Sequence, residues 1–508
     1  MNTDATTAWR RLWPLLPLAA LAATGLPLLY AGFHSDDWIW LAIVRHLDHP
    51  FAPYVTGILH EYFYRPSSIA LWWLGERLAG QHAGGHYLLD LGVHAASCLL
   101  LVALLRGWSV RPLPSLLAGG LFALAPAALG TVAWLSNRNE LLAVAAGLGA
   151  LLVLERAPRR PVGLWAVALL LWLSLSSKET GVVFVAAGLL RLLRARRGGV
   201  TVTAWSWPAL LLPLAGLFLM RRLTLWSTGV SISPADAPAG VAGWWQALPA
   251  AMTGFADATA GHAAVVLLAL VVVAGAVLGA WAQPRLRLPL CQAGLFLLLP
   301  PLLQWPITHL VFADAGARVF TENLRFFYLA TAALGMLLAV AADRPARRRR
   351  QTAAVLAALL VLLPAGWGAQ RLVQAWVRST GHTSAQILAL ARPVARESYP
   401  DGCLVQLERE DWPAAFPTFA DAIVKFAAPR GASVLGCAVF TQQPPAHTLL
   451  PRRLCSASAW PALTLRGQQG VPVLRPLGNL CLAGFAMPDP AALQDAFRFD
   501  LNHPVLPP

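Results

Sequence analysis

Two adjacent carboxylates, Asp36 and Asp37, stand in the stretch His34-Ser35-Asp36-Asp37-Trp38, directly after an apolar run from Leu12 to Ala31. A run of that length can span a bilayer, so the acid pair emerges at the membrane surface. Ionisable groups in such a place bind something or move protons; a pair of solvated loop carboxylates is the plain alternative. Neighbouring side chains on an extended or turn backbone diverge, so the two do not share one proton. One of them can act as a base toward an incoming hydroxyl while the other orients a cation or a donor. Tyr64-Arg65-Pro66-Ser67-Ser68 adds a cation on the same loop, and Pro66 biases Arg65 to an extended conformation. A guanidinium there suits a phosphate group and equally an ordinary lipid headgroup.

Further ionisable residues recur at the ends of apolar runs. His86, Asp90 and His94 are spaced by four and fall on one helix face. That pattern fits a metal site and also fits polar residues packing inside a helix bundle. Arg138 with Glu140, and Lys178 with Glu179, straddle the outer ends of two further runs, where charges pair or line a cavity. Arg325, in Asn323-Leu324-Arg325-Phe326-Phe327-Tyr328, is wrapped by aromatics and suits a lipid-linked phosphate or a simple interfacial anchor. Carboxylates beside a phosphate are compatible with Mg²⁺ or Mn²⁺, although no ligand spacing demands either and the metal stays unknown. No other cofactor is expected.

The elements that must position these groups are membrane helices. Of the 508 residues, 57% are hydrophobic and only 12% charged, with a mean hydropathy of +0.57. A soluble domain carries about a quarter charged residues. The formal charge of +15 raises nucleic acid as a partner, but the arginines fall in short clusters between apolar runs, with no continuous basic face. They mark topology instead.

With Arg10 and Arg11 holding the N-terminus inside, about eleven spans alternate arginine-bearing inner turns with acid-bearing outer loops. The second runs from His86 to Leu105, the third from Leu113 to Trp134, and Ser136 to Asn139 make a short outer turn. The fifth and sixth flank Ser176 to Thr180, the seventh covers Ala204 to Met220, the eighth Ala263 to Trp281, and the eleventh Thr352 to Ala369. Residues 33–85 and 221–262 are expected as large outer loops. The expected fold is therefore mostly α: a polytopic membrane bundle, residues 1–369, followed by a small soluble α/β domain, residues 370–508. That last segment carries Cys403, Cys437, Cys455 and Cys481. On an oxidising side these form two disulfides with three connectivities open, or remain four thiols.

The order of Ser35-Asp36-Asp37-Trp38, Tyr64 to Ser68, His86 to His94, Leu121 to Pro126 with Val132 to Leu142, Ser176 to Gly181, and Asn323 to Ala330 resembles the polytopic glycosyltransferases of the GT-C type. In particular it is similar to the polyprenyl-phosphate-sugar-dependent protein O-mannosyltransferase-like branch, over roughly Phe33 to Ala342. The resemblance implies that Asp36 or Asp37 is the catalytic base. It matches the family's arginine-proline motif to Arg65-Pro66, its histidine-bearing span to His86 and His94, and its lysine-glutamate motif to Lys178 and Glu179. Three departures stand out. Asp90 sits where asparagine is usual, Ala125-Pro126 replaces a histidine-proline pair, and Gly130 replaces a glutamate.

These features lead to an inverting transfer of a sugar from a polyprenyl-phosphate donor to a hydroxyl acceptor, a protein or an envelope glycan. Arg65, Lys178 and Arg325 would hold the donor phosphate, with His86, Asp90, His94, Arg138, Glu140 and Glu179 in support. Composition points to a bacterial inner membrane, with the site and the C-terminal domain facing the periplasm. The alternatives are a transporter or flippase of lipid-linked sugars, a ligase or polymerase using a diphosphate-linked donor, and a scaffold whose tail binds an envelope partner. A transporter would place ionisable groups near the midplane and show internal repeats, and neither is visible.

Overall fold

The structure is a computed structural model that describes residues 15–52, 64–156, 161–224, 272–312, 324–343, 348–396, 403–407, 422–430, 437–440, 460–468 and 471–480. Arg10, Arg11, most of the 221–262 loop, Cys455 and Cys481 lie outside the described residues.

The first apolar run forms α1 (Leu16–Gly25) and a 3-10 turn (Leu26–Tyr30), with a proline in the first turn of each. Two shorter helices follow among the described residues, α2 (Asp37–Arg45) and α3 (Pro66–Ala79). The second run is α4 (Ala83–Gly107), and its stripe of His86, Asp90, His94, Cys98 and Leu101, spaced by three or four, lies on the buried face. That periodicity is what a helix packed on one side requires.

The third run is not one helix. It divides into α5 (Pro112–Leu124) and α6 (Pro126–Ala133), bent by 47°. Pro126 has no N–H to donate and forces Ala125 into extended geometry (φ −65°, ψ 133°), so the bend is written in the sequence. Ser136 to Asn139 do not form a free outer turn either. A 3-10 turn, Leu135–Asn137, runs straight into α7 (Arg138–Arg156), which places Arg138 and Glu140 in that helix's first turn. Helix α7 is central, buried over most of its circumference.

The bundle continues with α8 (Pro161–Leu175), α9 (Gly181–Arg197), α10 (Ser206–Thr224), α11 (Val272–Ala282), α12 (Arg287–Phe312) and α13 (Tyr328–Ala342). Among the described residues, Ala83–Gly107, Leu135–Arg156 and Pro284–Leu303 are long and apolar enough to cross a bilayer, and the bent α5–α6 pair makes a fourth if it is one span. Together with the composition, these helices make the chain a membrane protein. The fully buried Asp343 accepts ion pairs from Arg285 at 2.9 Å and Arg111 at 3.3 Å, tying three turns together.

Helix α14 (Arg348–Arg396) runs for 49 residues, roughly 74 Å at 1.5 Å per residue, and passes position 370 without a break. Beyond it lie β1 (Cys403–Leu407), a short helix α15 at 422–427, β2 (Cys437–Phe440), β3 (Trp460–Gln468) and β4 (Val471–Leu480). The sheet order is β2-β1-β3-β4, with β1 parallel to both neighbours and β3–β4 an antiparallel pair. Cys403 and Cys437 are partners in the β1–β2 register.

Candidate active site

Ser35 adopts a left-handed φ of 50°, an uncommon state for a residue with a side chain, and turns the chain abruptly into α2. Asp36 takes the N-cap position of α2, yet its carboxylate does not cap the helix. It accepts a hydrogen bond from Trp134 Nε1 at 2.8 Å instead, and remains half-buried. Asp37 is wholly buried. Its Oδ1 accepts from the Ser136 backbone N–H at 2.8 Å and the Ser136 hydroxyl at 2.7 Å, and its Oδ2 accepts from the His34 backbone N–H at 2.9 Å.

The two acids are therefore chemically unlike. Burial first, and then the neighbouring charge of Asp36, push the Asp37 carboxyl well above the ordinary carboxylate range, against the three donors that favour its charge. Asp37 fastens the loop to the α6–α7 junction. His34 is pushed down to about 4 by burial, and its neutral ring packs edge-on against Trp376 at 5.0 Å and Trp134 at 5.8 Å.

The motifs around Arg65 and Lys178 meet in space. Ser67 donates its backbone N–H to the Ser176 carbonyl at 3.3 Å, and the Ser67 and Ser176 hydroxyls are 2.6 Å apart. Arg65 pairs with Glu179 at 2.9 Å, and Arg221 reaches the other oxygen of the same carboxylate at 3.3 Å. Lys178 pairs with Glu140 at 2.8 Å, where the Thr180 hydroxyl also donates at 3.0 Å. Burial raises the Glu179 carboxyl, but Arg65, a backbone N–H, Arg221 and Lys178 together bring it down to about 2. Three cations thus face two carboxylates, leaving the cluster with one net positive charge. Beside it lies an apolar cavity of about 660 Å³, lined by Tyr64, Pro66, Ser67, Leu71, Trp172 and Leu173 among others.

His86, Asp90 and His94 share a face as expected but take separate partners. Asp90 Oδ1 pairs with Arg138 Nε at 2.6 Å, His86 Nε2 lies 3.0 Å from the Gly80 carbonyl, and His94 Nδ1 lies 2.8 Å from the Tyr328 hydroxyl. The Arg138 guanidinium stacks on Trp72 at 4.3 Å from the ring centre and lies over Gly75, where a Cβ would come within 2.8 Å of Nη1. Among the described residues, no group of three or more His, Cys, Asp or Glu is arranged to hold a metal ion. Arg325 falls in the 3-10 turn Leu324–Phe327, and its side chain lies outside the description, whereas Phe326, Phe327 and Tyr328 are buried.

The segment Trp134 to Glu140 is the common spine of the site. It bonds Asp36 through Trp134, Asp37 through Ser136, Asp90 through Arg138 and Lys178 through Glu140. Trp134 and Ser136 lie within the segment Val132 to Leu142, but nothing there singles them out from their neighbours, and Arg221 carries no sequence signal. Their roles follow from the bend at Pro126 and from the approach of α10 to α8 and α9.

No family model matches the chain, and no curated protein matches it. Among solved structures, the apo oligosaccharyltransferase of Archaeoglobus fulgidus aligns at a TM-score of 0.48 and 13% identity, over 82% of this chain and 65% of that one. The oligosaccharyltransferase AglB of the same organism, in complex with an inhibitory peptide and a dolichol-phosphate, aligns at 0.46 and 14%, over 84% and 65%. ArnT from Cupriavidus metallidurans bound to undecaprenyl phosphate aligns at 0.35 and 14%, over 90% and 93%. The chain spans 65% of the length of each of the first two. At these TM-scores and identities, neither a fold nor an activity is carried over to this chain.

Proposed function

We propose that the chain is a GT-C-type membrane glycosyltransferase, of about eleven spans, that moves one sugar from a polyprenyl-phosphate donor to a hydroxyl acceptor at the outer face of a bacterial inner membrane. The observation that carries this reading is the Trp134–Glu140 spine, which ties a half-buried carboxylate, Asp36, to the Lys178–Glu140 pair and so to the cationic cluster around Glu179. A base and an anion site held by one rigid segment are the two parts that transfer from a phosphate leaving group needs.

In this mechanism Asp36 is the base. Trp134 orients its carboxylate, and its partial exposure admits an acceptor hydroxyl. Oxygen attacks the anomeric carbon as its proton passes to Asp36, the bond to the phosphate oxygen breaks, and configuration inverts. A positioned base contributes about 10² to 10⁴-fold. Arg65, Lys178 and Arg221, with Arg325, stabilise the charge that grows as the phosphate diester becomes a monoester. The apolar cavity beside Tyr64, Pro66 and Ser67 receives the first prenyl units of the donor. Asp37 serves as a fastener rather than a reacting group. Residues 370–508 form the extracytoplasmic α/β unit, and the acceptor is a protein or an envelope glycan.

The test is transfer of radiolabelled sugar from polyprenyl-phosphate donors into envelope acceptors by membranes carrying the parent chain or Asp36→Asn. Label lost in the variant supports the assignment. Label retained at the parental rate removes Asp36 as base, and no label with any monophosphate donor in the parent overturns the reading as a whole.

A further inference from the structure

The acid loop is gripped from outside the motif-bearing part of the chain. Helix α14 lays Trp376, Thr380 and Ser384, spaced by four, against residues 30–34. The Gly32 N–H donates to the Thr380 hydroxyl at 3.0 Å, and the Phe33 N–H donates to the Ser384 hydroxyl at 3.1 Å. Trp376 Nε1 donates to the Tyr87 hydroxyl at 3.0 Å, which in turn donates to the Gly32 carbonyl at 2.8 Å. The approach is close enough that a Cβ at Gly32 would lie 2.3 Å from Ser384 Cβ, and one at Gly381 would lie 2.7 Å from the Tyr30 carbonyl. Gly32 is required there because no side chain fits between the loop and the helix.

A second arm closes the other side. The Phe426 ring of α15 meets Phe33 at 5.4 Å and Trp38 at 6.0 Å, edge-on in both cases. Arg45 Nε donates to the Ala428 carbonyl at 2.8 Å. Arg45 and Arg430 share the buried Glu76 carboxylate at 2.8 and 3.1 Å.

From this geometry we infer that α14 belongs to the catalytic apparatus, with Thr380 and Ser384 as positioning residues that fix the loop carrying Asp36. Two consecutive backbone N–H groups of the loop are held by side-chain hydroxyls, and the left-handed Ser35 two residues on persists only in surroundings that over-determine it. Without the hydroxyls, the loop relaxes and the carboxylate leaves its place beside Trp134. A displacement of about 1 Å in a reacting group lowers turnover by up to about 10²-fold. The inference rests on the assignment of Asp36 as base, and it makes the segment after the last span a part of the site rather than an appendage.

The experiment compares Thr380→Val and Ser384→Ala, singly and combined, with the hydroxyl-retaining Thr380→Ser, in the full-length protein. A positioning role predicts that kcat falls about 10- to 100-fold in the combined variant, that donor KM stays within about twofold, and that Thr380→Ser keeps the turnover that Thr380→Val loses. Parental kcat in the combined variant overturns the inference, as does an equal loss in Thr380→Ser and Thr380→Val. Hydrogen exchange of the peptide covering Gly32 to Trp38 gives a readout independent of activity. Faster exchange at Gly32 and Phe33 in the combined variant is expected even if no polyprenyl-phosphate donor is used, and unchanged exchange overturns the clamp whatever the reaction is.

Discussion

Arg138 and Asp90 form an ion pair in which neither side chain meets solvent, Nε lying 2.6 Å from Oδ1. Two charges so enclosed depend on each other. Arg138→Met alone strands a buried carboxylate and is expected to lower stability by about 3–5 kcal/mol, whereas Arg138→Met with Asp90→Asn recovers much of that loss. Thermal unfolding in detergent of the parent, both single variants and the double variant gives the coupling between the two. A double variant whose loss equals the sum of the two single losses would show that the pair is not coupled.

The neighbouring acids of the loop are expected to separate by phenotype. Asp36→Asn should fold with a near-parental melting temperature and lose about 10² to 10⁴-fold in transfer rate. Asp37→Asn must turn an amide N–H₂ toward the donors on His34 or Ser136, and should lose about 1–3 kcal/mol of stability. Rates and melting curves measured on the same preparations check both. The reverse pattern would make Asp37 the base.

Donor affinity should depend on the cations around Glu179. Arg65→Met and Arg221→Met each remove one charge-assisted contact, worth about 1.5–3 kcal/mol. Each is therefore expected to raise the donor KM about 10- to 100-fold, with acceptor KM little changed. Titration of a short-chain polyprenyl phosphate as competitor measures the same loss without turnover. Equal affinity in parent and variants would place the phosphate elsewhere.

Glu179 also gives a pH signature. Its carboxyl lies at about 2 in the folded chain against an ordinary 4.5. A depressed folded pKa stabilises the fold above the ordinary value, and that contribution drains away as pH falls from about 4.5 toward 2. The difference in melting temperature between parent and Glu179→Gln should thus shrink as the sample is acidified through that window, and should be flat above it. A difference that grows on acidification would contradict the direction of the shift.

Cys403 and Cys437 are register partners in the β1–β2 pair, and paired strands lie about 4.8 Å apart. That is within the range a disulfide spans. Mass spectrometry of non-reduced peptides from protein isolated under thiol-blocking conditions is expected to find these two linked. Finding both alkylated would mean that the sheet sits on a reducing side or carries free thiols.

Much of the bundle is legible because apolar runs and arginine turns report single helices. His86, Asp90 and His94 do line one buried face, whereas the run expected as one span from Leu113 to Trp134 breaks at Pro126, which has no N–H to continue the helix. What the chain does not announce is which helices touch. Arg65 meets Glu179 across 114 positions, and Gly32 meets Thr380 across 348, distances over which no periodicity carries information. Nor does an Asp-Asp pair reveal which member is buried. That difference is made by the left-handed Ser35 and by the approach of Ser136, both tertiary facts. Trp376, Thr380 and Ser384 recur at helical spacing in the sequence, but nothing local to them shows that the residues they meet are Gly32 and Phe33.

The continuity of α14 sets a phase. Because each residue of an α-helix advances the face by about 100°, one residue inserted or lost between the bundle and Trp376 would swing Thr380 and Ser384 off the loop while leaving composition, charge and hydropathy nearly untouched. A flexible tether of the same sequence length would absorb such a change without consequence. The length of this helix therefore sets which of its faces meets the acid loop, counted from the arginines at its start to the hydroxyl that holds Gly32.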